Sequence, residues 1–539
     1  MRALEATRST PLFRTVKRLP ASPSIAVAVA LILSPLAHAD DTDVQALKQQ
    51  VEKLQRRIDQ LDAAQRERAA HPDVAAHTQS AAQAAPAGNA PSFFAGPVQV
   101  TLGGFVELMA ISRSHNEAAD WASNYNTGIP FPSSHNYDLS EFHLTERQSR
   151  LQALAQGPHD ANYLTEAYVE TDFGGSTTNG NNNQSGSFSP RVRHFYADYR
   201  NLHYGWQLLF GQTWSLVTAS KSGIMPRQEN IPLTIDGQYV PGFDWLRVSQ
   251  IRLVKSFGNT FAVAVSAENP AAQVSASTTA PAAANLNNGA YYNTPGAGNA
   301  FAPTTNISTD SVPDVVAKAA LDPGWGHYEV FGLARWFRSR DIGSAIPDNR
   351  TTHGFGVGGS VLLPLVPKTL DFQASFLTGQ GIGRYGSAGL PDATVDPNDR
   401  SLAPLHGYHA LGGLVLKPAA VPELTMFAYA GVEHVSKRSY DVTVTTPTAA
   451  TYGYGYGSEL FSNAGCEIEG AAACAANTSS IESGTLGGWW KFYQGELGNM
   501  QIGATDTYIR RTIYAGVGGS PSTSINIVLL SFRYYPYQK

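Results

Sequence analysis

Residues 203–214 read HYGWQLLFGQTW, and the phase of their side chains decides the fold. Side chains of a strand alternate between its faces, so Trp206, Leu208 and Phe210 share one face and Gln207, Leu209 and Gly211 the other. One face suits lipid. Loop 215–243 follows, and another alternating strand begins at Phe243. If that loop, with Lys221, Arg227, Glu229 and Asp236, folds back into the lumen of a closed barrel, the chain describes a pore with a charged constriction.

Outward from this unit the composition agrees. Glycine (50) and the aromatic pair Tyr and Phe (24 and 23) are abundant, while charged residues make up only 15% of the 539. Beyond the N-terminus no stretch has the roughly eighteen consecutive apolar residues of a membrane helix. A closed barrel is the other way across a bilayer, because closure pairs every backbone group and leaves no edge. Arg14, Lys17 and Arg18 precede the apolar run Ile25 to Leu33, which ends at Ala37-His38-Ala39, a signal peptide with its cleavage site over residues 1–39. Its removal takes away five basic residues and one acidic residue, a net +4, and moves the formal charge from −5 to −9. Such a chain has no nucleic-acid footprint. In an oxidising compartment Cys466 and Cys474, without nearby histidines, are expected as a local disulfide and not as a metal site.

The segment 43–62 places Val44, Leu47, Val51, Leu54, Ile58 and Leu61 at three-four spacing, which predicts a short periplasmic coiled coil over 40–65. Asp43 with Lys48 and Arg57 with Asp62 are its cross-helix pairs. A lone amphipathic helix is the other reading of the same pattern. Residues 66–97, rich in Ala, Gln, Pro and Gly, are a linker.

From 98 to 539 the chain is all-β. Sixteen antiparallel strands are expected near 98–111, 140–156, 161–173, 190–200, 203–214, 244–256, 260–269, 312–322, 326–338, 352–363, 369–380, 405–417, 423–435, 484–494, 498–514 and 522–535. Tight turns such as Phe257-Gly258-Asn259 and Asp322-Pro323-Gly324 follow even-numbered strands, and long loops such as 112–139, 215–243, 270–311 and 436–483 follow odd-numbered ones. This sorting by parity belongs to an up-and-down outer-membrane barrel, whose two rims are built differently. Trp206, Trp214, Trp336, Trp489, Trp490, Tyr534 and Tyr535 fit aromatic girdles at the interfaces.

A channel needs a lumen whose charge matches its solutes. The basic residues expected on the pore wall are Arg150, Arg191, Arg193, Arg252, Lys318 and Arg335, since a charge facing hydrocarbon would cost about 2–4 kcal/mol at mid-bilayer. The acidic ones are Glu107, Glu166, Glu170 and Asp172. Pairing of these with each other in a structural network is the alternative. No H-E-x-x-H, G-x-S-x-G or phosphate-binding glycine loop occurs, so neither an enzyme nor a cofactor is indicated.

Several segments resemble the DcaP-like outer-membrane porin family. They are Glu146-Arg147-Gln148-Ser149-Arg150-Leu151, Gly211-Gln212-Thr213-Trp214-Ser215, Val248-Ser249-Gln250-Ile251-Arg252, Ala267-Glu268-Asn269-Pro270 and Gly379-Gln380-Gly381-Ile382-Gly383-Arg384-Tyr385, behind a leading coiled coil. The resemblance implies a homotrimer of sixteen-stranded barrels in outer-membrane lipid, passing small anions such as dicarboxylates. It also implies Arg150, Arg252 and Arg384 as pore or rim residues. The region 440–485 and the ending Tyr535-Pro536-Tyr537-Gln538-Lys539 depart from the family pattern. A phosphate-type anion porin and an outer-membrane structural or adhesive barrel with an occluded lumen are the alternative functions.

Overall fold

Antiparallel pairing joins each long strand to the next in the chain and the last to the first, so the sheet closes on itself. The computed structural model describes residues 91–536 except 120, 122–124, 176–184, 187, 280–289, 292–308 and 446–448; the signal peptide, the coiled coil and most of the linker lie outside the described residues. The wall consists of β1 (Val98–Arg113), β2 in two segments (Glu141–Thr145 and Arg150–Gln156), β3 (Tyr163–Gly175), β4 (Ser189–Asn201), β5 (Trp206–Trp214), β6 (Arg247–Phe257), β7 (Phe261–Glu268), β8 (Asp314–Leu321), β9 (His327–Asp341), β10 (Asp348–Val366), β11 (Leu370–Gln380), β12 (His406–Leu416), β13 (Leu424–Val435), β14 (Thr478–Gly495), β15 (Gly498–Ile513) and β16 (Ser522–Tyr535). Closure runs from Val106 opposite Tyr534 to Arg113 opposite Ile527.

The rims differ as the loop lengths predict. Turns 258–260, 367–369 and 496–497 follow even strands, and loops 114–140, 215–246, 269–313, 381–405 and 436–477 follow odd ones. Several boundaries move, two of them beside long loops. β6 begins at Arg247 because residues 243–246 belong to the preceding loop, where the Trp245 amide donates to Tyr385 O at 2.7 Å. β14 begins at Thr478, ahead of the expected 484, and pairs with Ile513.

Period two places Leu208, Phe210, Ile251, Leu253, Val330, Phe355, Leu530 and Phe532 on the outside, all exposed. An apolar belt this continuous is unsuited to water and suited to hydrocarbon. Near the short turns it ends in exposed aromatics: Trp206, Phe257, Phe261, Trp325 and Trp490. Lys255 lies over Trp206 and Phe257 at 5.4 and 5.1 Å.

Trp214 and Trp489, expected in the girdles, are instead inside. Trp214 ends β5 in unbroken register opposite Arg247, and its ring is enclosed by His194, Phe243 and Trp245, which leaves it 1% exposed. Trp489 sits on the inward phase of β14 and donates from Nε1 to Leu233 O at 2.7 Å.

The break in β2 is the segment Glu146 to Ser149. Its Ser149 Oγ accepts from the Glu107 amide at 3.0 Å, and Arg147 donates to Phe173 O and Gly175 O at 3.0 and 3.1 Å. The Cys466–Cys474 pair forms the expected disulfide within loop 436–477.

Candidate functional site

Loop 215–246 folds into the lumen and is fastened in three places. Its first limb lies against β7–β9: the Leu216 amide donates to Glu268 Oε1 (3.0 Å), the Ser220 amide to Glu329 Oε2 (3.1 Å), and Lys318 Nζ reaches Thr218 O (2.8 Å) and Glu329 (3.1 Å). Its middle crosses the barrel. Arg227 pairs with Glu166 at 2.9 Å, the Leu233 amide donates to Tyr429 OH at 3.0 Å, and Arg533 donates to Ile235 O at 2.9 Å. Its last limb threads against β12 and β13, where the Gly242 amide donates to Glu433 Oε1 (2.8 Å) and Asp244 meets His409 (3.1 Å). Gly242 has φ +87°, and a Cβ on it would stand 2.1 Å from Ala410 O, so only glycine passes here.

A second loop, 381–405, enters beside the first, and the Ser387 amide donates to Phe243 O at 3.1 Å. Four of the five segments that carry the family resemblance converge on these two loops. Gln250 Nε2 donates to Trp214 O at 3.0 Å, Arg252 also donates to Trp214 O, Glu268 holds Leu216, and Tyr385 holds Trp245. They build the socket of the inserted chain.

The cross-section is therefore lopsided. Ile231, Leu233, Ile235, Tyr239 and Val240 pack against the inward side chains Phe427, Tyr429, Ile509, Ile527 and Leu529, filling the side of β13–β16 with a hydrophobic core. Polar groups gather on the other side. Arg193 lies between Glu170 (2.5 Å) and Asp172 (2.9 Å), Arg191 holds Asp172 at 2.6 Å, Arg150 stands 3.5 Å from Glu170, and Arg533 pairs with Glu107 at 3.0 Å.

A cavity of about 730 Å³ is bounded by this polar wall and the loop, and it extends toward the short-turn ends of β11, β12 and β14. Its charged lining is seven basic side chains (Arg150, Arg193, Lys221, Arg227, Lys417, Lys491, Arg533) and four acidic ones (Glu170, Glu229, Asp236, Asp371), a formal +3 in a chain of net −5. Burial pushes the carboxyls of Glu229 and Asp236 up from the usual carboxylate range. One oxygen of each has no hydrogen-bond partner.

A second cavity, of about 770 Å³, lies among the long loops and is lined by residues such as Asn116, Asn126, Ser133, Ser275, Asn477 and Arg511. Tyr239 is bonded toward both, to Trp121 of the first lining and through Arg113 to Glu117 of the second. Its hydroxyl accepts from Arg113 Nη2 at 2.6 Å and donates to Trp121 O, and its ring lies 5.6 Å from that of Tyr125. Replacing Tyr239 by Ala should raise single-channel conductance, at a stability cost of about 3–5 kcal/mol for the lost ring. Tyr239→Phe keeps the ring and should leave conductance near that of the parent protein while costing about 1–3 kcal/mol for the hydrogen bonds.

Of the residues expected on the pore wall, Arg150 and Arg193 line the cavity, together with Glu170 and the four loop residues Lys221, Arg227, Glu229 and Asp236. Arg191 and Asp172 are bonded to one another beside it, and Glu107 and Glu166 are buried in their ion pairs. Arg252, Lys318 and Arg335 point inward but are covered by the inserted loops and do not line the cavity. Arg335 is 1% exposed, between Asp314 (3.1 Å) and Asp392 (2.7 Å). Arg384 lies in loop 381–405 and donates to Asn269 O at 3.0 Å. Missed from the sequence were Lys417, Lys491 and Arg533, which sit near strand ends where phase is hardest to read.

A closed, sixteen-stranded antiparallel barrel with a long loop packed into its lumen defines the porin class of fold. No protein-family model matches the chain, and no curated protein matches it. Among solved structures, the outer membrane channel DcaP of Acinetobacter baumannii is similar, with 19% identity, 83% of this chain and 99% of that chain covered, and a TM-score of 0.55. The fold is that of a DcaP-like porin. An anion-selective porin from Comamonas acidovorans (10% identity, 81% and 99% covered, TM-score 0.42) and the outer membrane protein OmpT of Vibrio cholerae (11%, 83% and 100%, 0.40) are more distant.

Proposed function

We propose that the protein is an outer-membrane porin through which small anionic solutes, dicarboxylates among them, diffuse down their gradients, and that it works as a homotrimer in outer-membrane lipid. The observation that carries this reading is the +3 formal charge of the cavity lining in a chain with an excess of acids. Guanidinium groups spaced along one wall hand a carboxylate from one to the next, provided none holds it too long. Arg150 and Lys221, which lack the tight ion pairs of Arg193 and Arg227, are the groups assigned to this role.

Competition in bilayer recordings tests it. Succinate added to a chloride solution should reduce the chloride current at lower concentration than phosphate does. The reverse order would favour a phosphate-type anion porin. The Tyr239 layer favours a second reading, an occluded structural barrel, and for that reading the parent protein should carry no current while Tyr239→Ala does.

A further inference from the structure

Three lysines reach the short-turn end of the cavity of about 730 Å³, each from a different element. Lys221 is carried by the first limb of loop 215–246, which descends to the short turns: the Gly223 amide donates to Asp322 Oδ2 at 2.9 Å, in the turn between β8 and β9. Lys417 follows β12, and its amide donates to Thr369 O at 2.7 Å in the turn before β11. Lys491 lies in β14, and its amide donates to Glu423 O at 3.0 Å in the turn before β13. Both wall lysines face inward, because their neighbours Leu416, Trp490 and Phe492 are exposed on the outer face. All three side chains line the cavity and belong to exposed residues. Lys417 meets Asp371 at 3.0 Å and still leaves 48% of its side chain in solvent. Lys221 and Lys491 form no ion pair among the described residues, and Glu229, the carboxylate beside Lys221, is buried. Lys221 and Lys417 stand near enough to repel one another.

From this arrangement we infer that the short-turn mouth of the lumen is a site for linear oligophosphates, which enter it from that side and obstruct the pore. An ammonium group on a four-carbon stem is a compact, hydrated point charge without the planar fork that suits a carboxylate, and it pairs with phosphoryl oxygens as a point charge. Here the stems rise from a loop and two strands, so their heads can close around a chain of charged groups. The guanidinium groups lie elsewhere on the wall, where Arg150, Arg193 and Arg533 stand by the carboxylates of Glu170, Asp172 and Glu107. A triphosphate gains from several ammonium contacts at once, whereas an anion of one or two charges is released to the next group. An oligophosphate arriving from the long-loop side must first pass the inserted loops, so the effect is sided.

This inference rests on the porin reading for its first measurement. In bilayer recordings inorganic tripolyphosphate should obstruct chloride current from one side at a concentration about tenfold below that needed from the other, the factor expected of a few charge contacts at a partly exposed site. Lys417→Gln together with Lys491→Gln should weaken the block about tenfold and remove its sidedness, while Lys417→Arg together with Lys491→Arg keeps most of it. Lys437→Gln, in loop 436–477 at the opposite rim, should leave it unchanged. Equal potency from the two sides, no block, or a block untouched in the glutamine double variant overturns the site and leaves the porin intact. If the parent barrel carries no current, the porin reading falls and titration calorimetry of the detergent-solubilised protein with tripolyphosphate still decides the site. Saturable binding that weakens about tenfold in the glutamine double variant supports it; no binding, or equal affinity in the two proteins, overturns it.

Discussion

Replacing Arg335 by Ala should destabilise the barrel by about 3–5 kcal/mol, because it leaves the buried Asp392 carboxylate without a cation and weakens the pairing of Asp314. Arg335 Nε lies 3.1 Å from Asp314, Nη1 lies 2.7 Å from Asp392, and the same head donates to Gly381 O and Ala271 O. It thereby ties loops 269–313 and 381–405 to β9. In its absence Asp314 keeps the Tyr385 hydroxyl at 3.2 Å and Arg384 at 3.7 Å, and Asp392 keeps the amides of Gln273 and Arg384. The loss should appear as a lower denaturant midpoint in detergent. Adding Asp392→Asn to Arg335→Ala should recover part of it, since a neutral amide costs less to bury than an unpaired charge. An unchanged midpoint in Arg335→Ala would remove this residue from the framework.

The second large effect concerns selectivity. Arg150→Glu together with Lys221→Glu changes the formal charge of the cavity lining from +3 to −1 without touching the tight pairs of Arg193, Arg191 or Arg533. Fixed charges in a narrow, partly desolvated lumen act far more strongly than the same charges in water. The double variant should therefore favour cations, and Arg150→Glu alone should move part of the way. Retention of full anion preference by the double variant would take both residues out of the pathway. A denaturant midpoint close to that of the parent protein is the control that the barrel is still folded.

The architecture was legible because it repeats. Alternation in segments such as WQLLF and LDFQASFL marks which face is wet, and loops sorted by parity mark two unlike rims. Inward placement of Arg252, Lys318 and Arg335 follows from that alternation alone, since each stands between residues compatible with lipid. What covers them does not follow. Two of their partners, Thr218 O and Asp392, come from loops whose destination depends on the whole barrel and not on any local period. The burial of Trp214 was hidden for a related reason, since the rings that enclose it, Phe243 and Trp245, belong to the inserted loop.

The charge of the permeation path is most directly tested by the reversal potential of the parent protein in a bilayer separating concentrated from dilute potassium chloride. An excess of basic side chains around the cavity predicts a potential set mainly by chloride, shrinking as ionic strength rises and the lining is screened. A potential set by potassium would contradict the account.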